Sequence, residues 1–296
     1  MMKPNILWIC TDQQRADTIE ALGNPHIHTP NLDRLCAEGV AFNRVYCQSP
    51  ICTPSRASFL TGLYPSTIHA NINGSARLQL PHGARLITRR LADIGYRCGL
   101  AGKLHISSAW PGIEARVDDG YEEFWYSHSP TQPCNAQNQY VGWLAELGRL
   151  DEVMDRSAEN KALHMGVKYR KQVPPELHQT RWCCDRAREF MTLHQDQPWL
   201  MSVNIFDPHP PFDAPREYAE RYENMQLPLP LFTEHDEKNQ ARLSTHCFQS
   251  SCRCPGGEVM KRKASYYGMI QLIDENVGRV LDRLEETNQR DGTMII

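Results

Sequence analysis

Short apolar runs that alternate with helical patterns are the feature that most constrains how this 296-residue chain folds. We interpret as β-strands the apolar runs at residues 4–10, 40–42, 96–101, 198–205 and 293–296. Because strands and helices alternate along the chain, the sequence predicts an α/β fold. In that fold a mostly parallel central sheet carries helices on both faces.

The first helical pattern has recognisable ends. It opens at Thr29-Pro30 and closes at Gly39, since threonine is a good cap, proline suits the first turn and glycine ends helices. Further helices are predicted at residues 86–94, 176–194 and 258–290. Residues 110–175 and 213–257 mix proline with aromatic and polar residues, so we expect loop-rich insertions there.

Polar clusters follow three of the predicted strands. They are Asp12 with Gln13, Lys103 with His105, and His209. Ligands of open α/β sheets bind beyond the carboxyl ends of the strands, so these clusters are candidates for one site. Carboxylate and amide oxygens suit Ca²⁺ or Mg²⁺, lysine suits an oxyanion, and histidine suits proton transfer. Taken singly, each cluster is also compatible with an ordinary capping or surface role.

Cys52 begins a tight loop that runs into a short helix ending at Thr61-Gly62. A helix N-terminus favours anions, so a cysteine there, followed by Arg56, is a candidate reactive group for an oxyanion substrate. The alternative is a small buried cysteine in front of an ordinary helix.

Composition narrows the possible classes. The formal net charge of -3 argues against a nucleic-acid partner, and no apolar run is long enough to span a membrane. The N-terminus lacks a signal-peptide pattern, so we expect a cytoplasmic protein.

The 11 cysteines are an odd number and are scattered, which favours reduced thiols. Cys247, Cys252 and Cys254 lack zinc-site spacing, and we expect a loop there.

The segment Cys52-Thr-Pro-Ser-Arg56, followed by Leu60-Thr-Gly62, resembles the signature of the type I, formylglycine-dependent sulfatases. These belong to the alkaline-phosphatase-like superfamily. Asp12-Gln13, Gly102-Lys-Leu-His105 and Pro208-His209 match further family segments in order, so the resemblance covers essentially the whole chain. It implies a sulfatase that hydrolyses an aryl or carbohydrate sulfate ester to an alcohol and inorganic sulfate.

The resemblance also implies roles for the residues around the nucleophile. Cys52 would be converted to formylglycine (3-oxoalanine) by a formylglycine-generating enzyme, and its hydrated aldehyde would attack sulfur. Asp12, Gln13 and the modified Cys52 would hold a divalent cation, Ca²⁺ or else Mg²⁺. Arg56 would stabilise the attacking oxygen.

Three further residues complete the implied machinery. Lys103 would stabilise the sulfuryl oxygens, and His209 would bind the ester and assist the leaving alcohol. His105 would take a proton from the second hydroxyl of the hydrated aldehyde, so that sulfate is released.

Two departures from the family pattern matter. Gln13 stands where many relatives have a second aspartate, and the remaining metal ligands and the C-terminal subdomain follow a strand like the one predicted at residues 293–296. We therefore expect residues 1–296 to form an incomplete N-terminal catalytic domain. On this expectation the chain alone binds metal weakly and has little activity.

Two other functions remain open from the sequence. Phosphonate and phosphate ester hydrolases of the same superfamily share the opening seen at residues 12–17, although residues 102–105 favour sulfate. An inactive remnant that only binds a ligand is the other alternative. The ester partner is a small molecule or a saccharide, and the sequence leaves the oligomeric state open.

Overall fold

The structure is a computed structural model. It describes residues 3–72, 84–109, 114–130, 137–155, 168–169, 172–231, 233–242 and 256–296. Trp110 and the cysteines at 134, 247, 252 and 254 lie outside these residues, and so does the loop that we expect at the last three cysteines. The described cysteines are free thiols.

Within the described residues, seven strands form two sheets. They are β1 (Asn5–Cys10), β2 (Arg97–Gly102), β3 (Glu123–Tyr126), β4 (Met154–Asp155), β5 (Lys168–Tyr169), β6 (Trp199–Asn204) and β7 (Thr293–Ile295). The main sheet has the order β3-β2-β6-β1-β7 and every neighbouring pair in it is parallel. The predicted mostly parallel sheet is confirmed.

Nine helices accompany the strands in the described part of the chain. They are α1 (Pro30–Glu38), α2 (Cys52–Thr61), α3 (Ile87–Asp93), α4 (Gln139–Glu146), α5 (Leu150–Val153), α6 (Gln179–Leu193), α7 (Arg216–Glu223), α8 (Glu234–Arg242) and α9 (Gly256–Glu286). None of these helices combines the length and apolarity needed to cross a membrane.

Helices cover both faces of the sheet, as the alternation predicts. Met201 and Val203 of β6 pack with apolar residues of α6 and α9 in the larger core cluster. Leu200, whose side chain points the other way along the same strand, packs with Leu86 and Leu60 in a second cluster. The buried strands are held between these two apolar layers.

Parallel register brings three strand ends together. Asn204 at the end of β6 is paired with Cys10 of β1 on one side and with Gly102 of β2 on the other. The residues that follow β1, β2 and β6 therefore emerge side by side at one edge of the sheet, which is where the polar clusters lie.

Three local predictions were wrong. Residues 40–42 form no strand. Val40 and Phe42 are 78% and 76% exposed, so their apolar side chains do not pack against the sheet. The loop-rich interpretation of residues 110–175 missed β3, and that of residues 213–257 missed α7. Strand β3 is only four residues long, and α7 is a short polar helix buried on one side against α9.

Gly102 ends β2 with a left-handed backbone (φ +106°), and a Cβ atom there would lie 2.0 Å from the main-chain oxygen of Asn204. We expect Gly102→Ala to lower the free energy of unfolding by about 2–4 kcal/mol, through overpacking and backbone strain. Urea denaturation measures the change. Gly142→Ala, on a helix with open space around it, is the control and should gain about 0.5–1 kcal/mol. Equal effects of the two substitutions would contradict the prediction.

Candidate active site

A cleft of about 700 Å³ opens where the carboxyl ends of β1 and β6 meet the N-terminus of α2. Its walls include five of the residues predicted from the sequence: Asp12, Gln13, Cys52, Arg56 and His209. Residues that are more than 190 positions apart in the chain therefore share one cavity. The parallel register of the sheet brings these residues of the polar clusters together.

Cys52 is the first residue of α2 and is partly buried. The sequence predicts a loop that runs into the helix, whereas the structure places the cysteine inside the first helical turn. Its N-cap residue, Ile51, is extended and makes no side-chain capping hydrogen bond. The positive end of the α2 dipole therefore lies at the cleft beside the thiol, which favours an anionic group there.

Asp12 is the centre of a buried ionic network. Its Oδ2 accepts a hydrogen bond from Lys103 Nζ at 2.6 Å and another from Arg56 Nη2 at 3.3 Å. Burial alone would raise the pKa of Asp12, but the charges of Lys103 and Arg56 outweigh it and the pKa is lowered. The carboxylate is therefore ionised at neutral pH, and the two cations leave the network with one net positive charge.

Lys103 also organises the backbone around the network. It is 1% exposed, and its main-chain oxygen accepts hydrogen bonds from Arg56 Nη1 and Asn204 Nδ2, both at 2.9 Å. These bonds tie α2 and β6 to the end of β2. Asn204 was not singled out from the sequence, because an asparagine at the end of a strand carries no distinguishing pattern.

His105 is buried and does not continue the extended strand. Its backbone is left-handed (φ +53°), so Lys103 and His105 do not lie two apart on one extended segment. The two residues still lie close enough to interact. Burial is the largest cause that lowers the pKa of His105, and the charges of Lys103 and then Arg56 lower it further, to about 3. Its ring packs edge-on against His128, with ring centres 4.2 Å apart. His105 is therefore neutral near pH 7.

Glu114 holds the loop that carries His105. Its carboxylate accepts hydrogen bonds from the main-chain N–H groups of His105 (2.8 Å), Ile106 (2.6 Å) and Ser107 (3.0 Å), and from Tyr126 Oη (3.1 Å). Burial raises the pKa of this carboxyl in spite of those bonds. Sequence reasoning missed Glu114, since it stands in a segment without a motif.

His209 lies on the cleft wall after β6. Its Nδ1–H donates to the main-chain oxygen of Pro210 at 2.7 Å, which leaves Nε2 as the acceptor of the neutral ring. Burial and the charge of Lys103 lower the pKa of His209. Nearby, Asp207 accepts from Thr180 Oγ1 at 2.6 Å and its main-chain oxygen accepts from Asp12 N at 3.1 Å, which joins the β6 end to the β1 end.

Gln13 stands at the rim and is exposed. Its backbone is left-handed (φ +63°), and its main-chain oxygen accepts a hydrogen bond from Tyr266 Oη at 2.7 Å. Its side-chain amide is therefore placed at the cleft by contacts of the backbone with α9.

The donor set does not complete a calcium site. Ca²⁺ takes roughly six to eight oxygen ligands. Of the residues that the sequence predicts as oxygen ligands, the cleft offers the Asp12 carboxylate, one of whose oxygens is bonded to Lys103 and Arg56, and the Gln13 amide. Among the described residues, no group of three or more His, Cys, Asp or Glu side chains is arranged to hold a metal ion.

The amino-acid sequence matches a known protein family. The family model described as Sulfatase matches residues 4–296, so the chain belongs to the sulfatase family. It is 28% identical over its whole length to an arylsulfatase of Clostridium perfringens. It is 30% identical, also over its whole length, to the multifunctional alkaline phosphatase superfamily protein PehA of Trinickia caryophylli. The chain spans 62% of the length of each of these relatives.

Solved structures show the same fold. A phosphonate monoester hydrolase of Agrobacterium radiobacter matches with a TM-score of 0.74 at 23% identity, covering 99% of this chain and 62% of that one. A sulfatase structure from Bacteroides fragilis matches with a TM-score of 0.66 at 23% identity, covering 99% and 61%. The fold is that of the alkaline-phosphatase-like proteins, as the sequence resemblance implies.

The buried neutral His105 predicts a pH-dependent stability. In the unfolded chain a histidine with a pKa of roughly 6.5 binds a proton that the folded site excludes down to a pKa of about 3, so stability falls as the pH drops through that window. Between pH 7 and pH 5 we expect this residue to cost about 2 kcal/mol of unfolding free energy.

Urea denaturation at the two pH values measures that loss. His105→Asn should lose less stability than the parent chain over the same interval, although its stability at pH 7 is lower. The same pH dependence in both proteins would contradict a buried neutral His105.

The short donor set predicts weak calcium binding. We expect isothermal titration calorimetry to give a Kd on the order of 1 mM or weaker for this chain. Gln13→Gly, which suits the left-handed backbone at this position, removes the amide ligand and should weaken binding further. A micromolar Kd would show that the chain provides oxygen ligands beyond Asp12 and Gln13.

Proposed function

We propose that the protein hydrolyses a sulfate ester to an alcohol and inorganic sulfate. The observation that carries the proposal is that Cys52 stands in the first turn of α2, on the cleft that Asp12, Arg56 and His209 also line. Membership in the sulfatase family gives the cysteine of the Cys-x-Pro-x-Arg segment a chemical meaning that an isolated cysteine lacks.

The charge of the cleft suits the substrate. A sulfate monoester carries one negative charge, and Arg56 with Lys103 exceeds Asp12 by one positive charge. The network is buried, so its attraction for an anion is screened less than at an open surface. The α2 dipole adds to it in the same direction.

Formylglycine made from Cys52 would supply a hydrated aldehyde as the nucleophile. The side chains around it have proposed roles that fit their positions. Arg56 neutralises the attacking oxygen, and Lys103 stabilises charge on the sulfuryl oxygens through the network it forms with Asp12. Both cations are held before substrate arrives, so little reorganisation is needed.

The two histidines are proposed to handle protons. His209 is neutral without ligand, and an ester anion beside it would favour its protonated form, which suits a group that assists the leaving alcohol. His105 is neutral near pH 7, as a proton acceptor during sulfate release must be. Glu114 is proposed to position His105 by bonding the main chain on which it stands.

The partners follow from this chemistry. We propose Ca²⁺, or else Mg²⁺, at Asp12 and Gln13, a formylglycine-generating enzyme that acts on Cys52, and a cytoplasmic location. The ester is a small molecule or a saccharide. One structural neighbour of this chain was solved in complex with its substrate D-glucosamine-2-N,6-O-disulfate, which supports a saccharide as one option.

A phosphonate monoester is the second candidate substrate. The phosphonate monoester hydrolase of Silicibacter pomeroyi matches with a TM-score of 0.74 at 25% identity, against 0.66 for the Bacteroides fragilis sulfatase. A phosphonate monoester carries the same single charge, so charge does not separate the two. The Lys103 and His105 segment resembles that of sulfatases and favours the sulfate ester.

Turnover of an aryl sulfate tests the proposal. The assay uses the longest form of the protein that can be expressed, together with a formylglycine-generating enzyme, because the described residues do not complete a calcium site. We expect Cys52→Ala to abolish turnover, at least a 1,000-fold loss on the order seen when a catalytic nucleophile is removed. Cys36→Ala, a thiol of α1 outside the cleft, is the matched control and should keep full activity.

Intact-mass analysis reports the modification separately. Conversion of Cys52 to formylglycine lowers the mass by roughly 18 Da, since a thiol is replaced by an aldehyde. If the modified protein turns over an aryl phosphonate monoester orders of magnitude faster than an aryl sulfate, the second candidate replaces the first. A modified protein that turns over neither ester would refute both.

A further inference from the structure

A second cleft, of about 630 Å³, lies along α6 and α9. It shares no lining residue with the Cys52 cleft. Five arginines line it, which we call the arginine cluster: Arg181, Arg186 and Arg188 of α6 with Arg279 and Arg283 of α9. A chain with a formal net charge of -3 thus concentrates positive charge in one place.

Three of these arginines share one carboxylate. Asp185 accepts hydrogen bonds from Arg181 Nε at 2.8 Å, from Arg279 Nη2 at 2.6 Å and from Arg188 Nη1 at 3.4 Å. One negative charge therefore faces three positive charges. The remaining two arginines pair within their own helices, Arg186 with Glu189 and Arg283 with Glu286. Five guanidinium groups against three carboxylates leave an excess of two positive charges.

Partial burial separates the cluster from an ordinary solvated face. The five side chains are only 24% to 35% exposed. The Nε atoms of Arg186, Arg188 and Arg283 are buried and have no hydrogen-bond partner among the residues that the structure describes. A buried donor without an acceptor is unfavourable, and more so when it is charged.

Mutual repulsion within the cluster points the same way. Burial lowers the pKa of Arg279, and the charges of Arg181 and Arg188 add to that effect against the attraction of Asp185. Five guanidinium groups therefore line one partly buried cleft and pair with three carboxylates. A ligand with two negative charges matches the excess.

We propose that the arginine cluster binds a tetrahedral oxyanion, sulfate or phosphate, either free, with two negative charges, or carried on a larger molecule as an ester. Arginine suits this ligand because its planar fork donates two parallel hydrogen bonds to an oxyanion. The proposal does not rest on the sulfatase activity, since it uses none of the residues of the Cys52 cleft.

Isothermal titration calorimetry with sodium sulfate, at constant ionic strength maintained with sodium chloride, tests the proposal on the full chain. We expect the double variant Arg188→Gln/Arg279→Gln to weaken sulfate binding by about 10-fold or more, because it removes two charged hydrogen-bond donors from the cluster. Arg216→Gln, an exposed arginine of α7 paired with Glu220, is the control and should bind as the parent does. Sulfate that binds in the Cys52 cleft would be unaffected by the double variant.

Stability measurements guard against a trivial loss of folding. Without sulfate, the double variant should unfold at the same urea concentration as the parent or a higher one, since it relieves repulsion and Asp185 keeps Arg181. With sulfate, the parent and the Arg216→Gln control should gain more stability than the double variant does. If the variant fails to fold, Arg283→Gln takes its place in both measurements.

The source of the oxyanion is resolved by parallel titrations with inorganic sulfate, inorganic phosphate and a sulfated disaccharide. Tighter binding of the disaccharide through the same arginines assigns the sulfate group to a saccharide, whereas equal affinities assign a free ion. Equal sulfate affinity of the parent and the double variant, or no binding of any of the three, would overturn the proposal.

Discussion

The buried ion pair between Lys103 and Asp12 is the interaction on which the rest of the site depends. Lysine at 1% exposure is tolerated only when its charge is compensated, and Asp12 provides that compensation at 2.6 Å. Removing one partner of such a pair costs about 3–5 kcal/mol, because the other charge stays buried alone. The pair joins the end of β1 to the end of β2, and Asn204 adds the end of β6. The position of every cleft wall follows from this junction.

The same network couples the nucleophile to the sheet. Arg56 stands one turn after Cys52 on α2 and bonds both Asp12 and the main chain of Lys103. The start of α2 is thereby fixed relative to the strand ends by charged and neutral hydrogen bonds together. This explains how a helix with little amphipathic character is held in place: its buried arginine, as well as its apolar side chains, anchors it.

Local patterns predicted the parts of the fold that local physics determines. Strands β2 and β6 are short apolar runs that are almost wholly buried, and β1 is an apolar run that is mostly half-buried, so composition alone marks all three. The run at residues 40–42 has the same composition but no neighbouring strand, and it is exposed. The edge strand β3 is recognisable only by its pairing with β2, a contact between residues more than 20 positions apart. Pairing is a tertiary property that a window of sequence does not contain.

The candidate site divides in the same way. Residues proposed to act through their own chemistry, such as Cys52 and Asp12, stand in short motifs and were singled out from the sequence. Residues that act by holding others, such as Glu114 and Asn204, were not, because any carboxylate or amide in the right place performs that role.

Asp12 itself combines both kinds of role. One carboxylate oxygen accepts hydrogen bonds from both Lys103 and Arg56. A metal cation bound to Asp12 would therefore be repelled by these two positive charges. The neutral amide of Gln13 adds no charge to offset this repulsion. Tight cation binding at this cleft therefore requires further anionic ligands beyond Asp12, and the affinity of the site for a metal is set by how many of them are supplied.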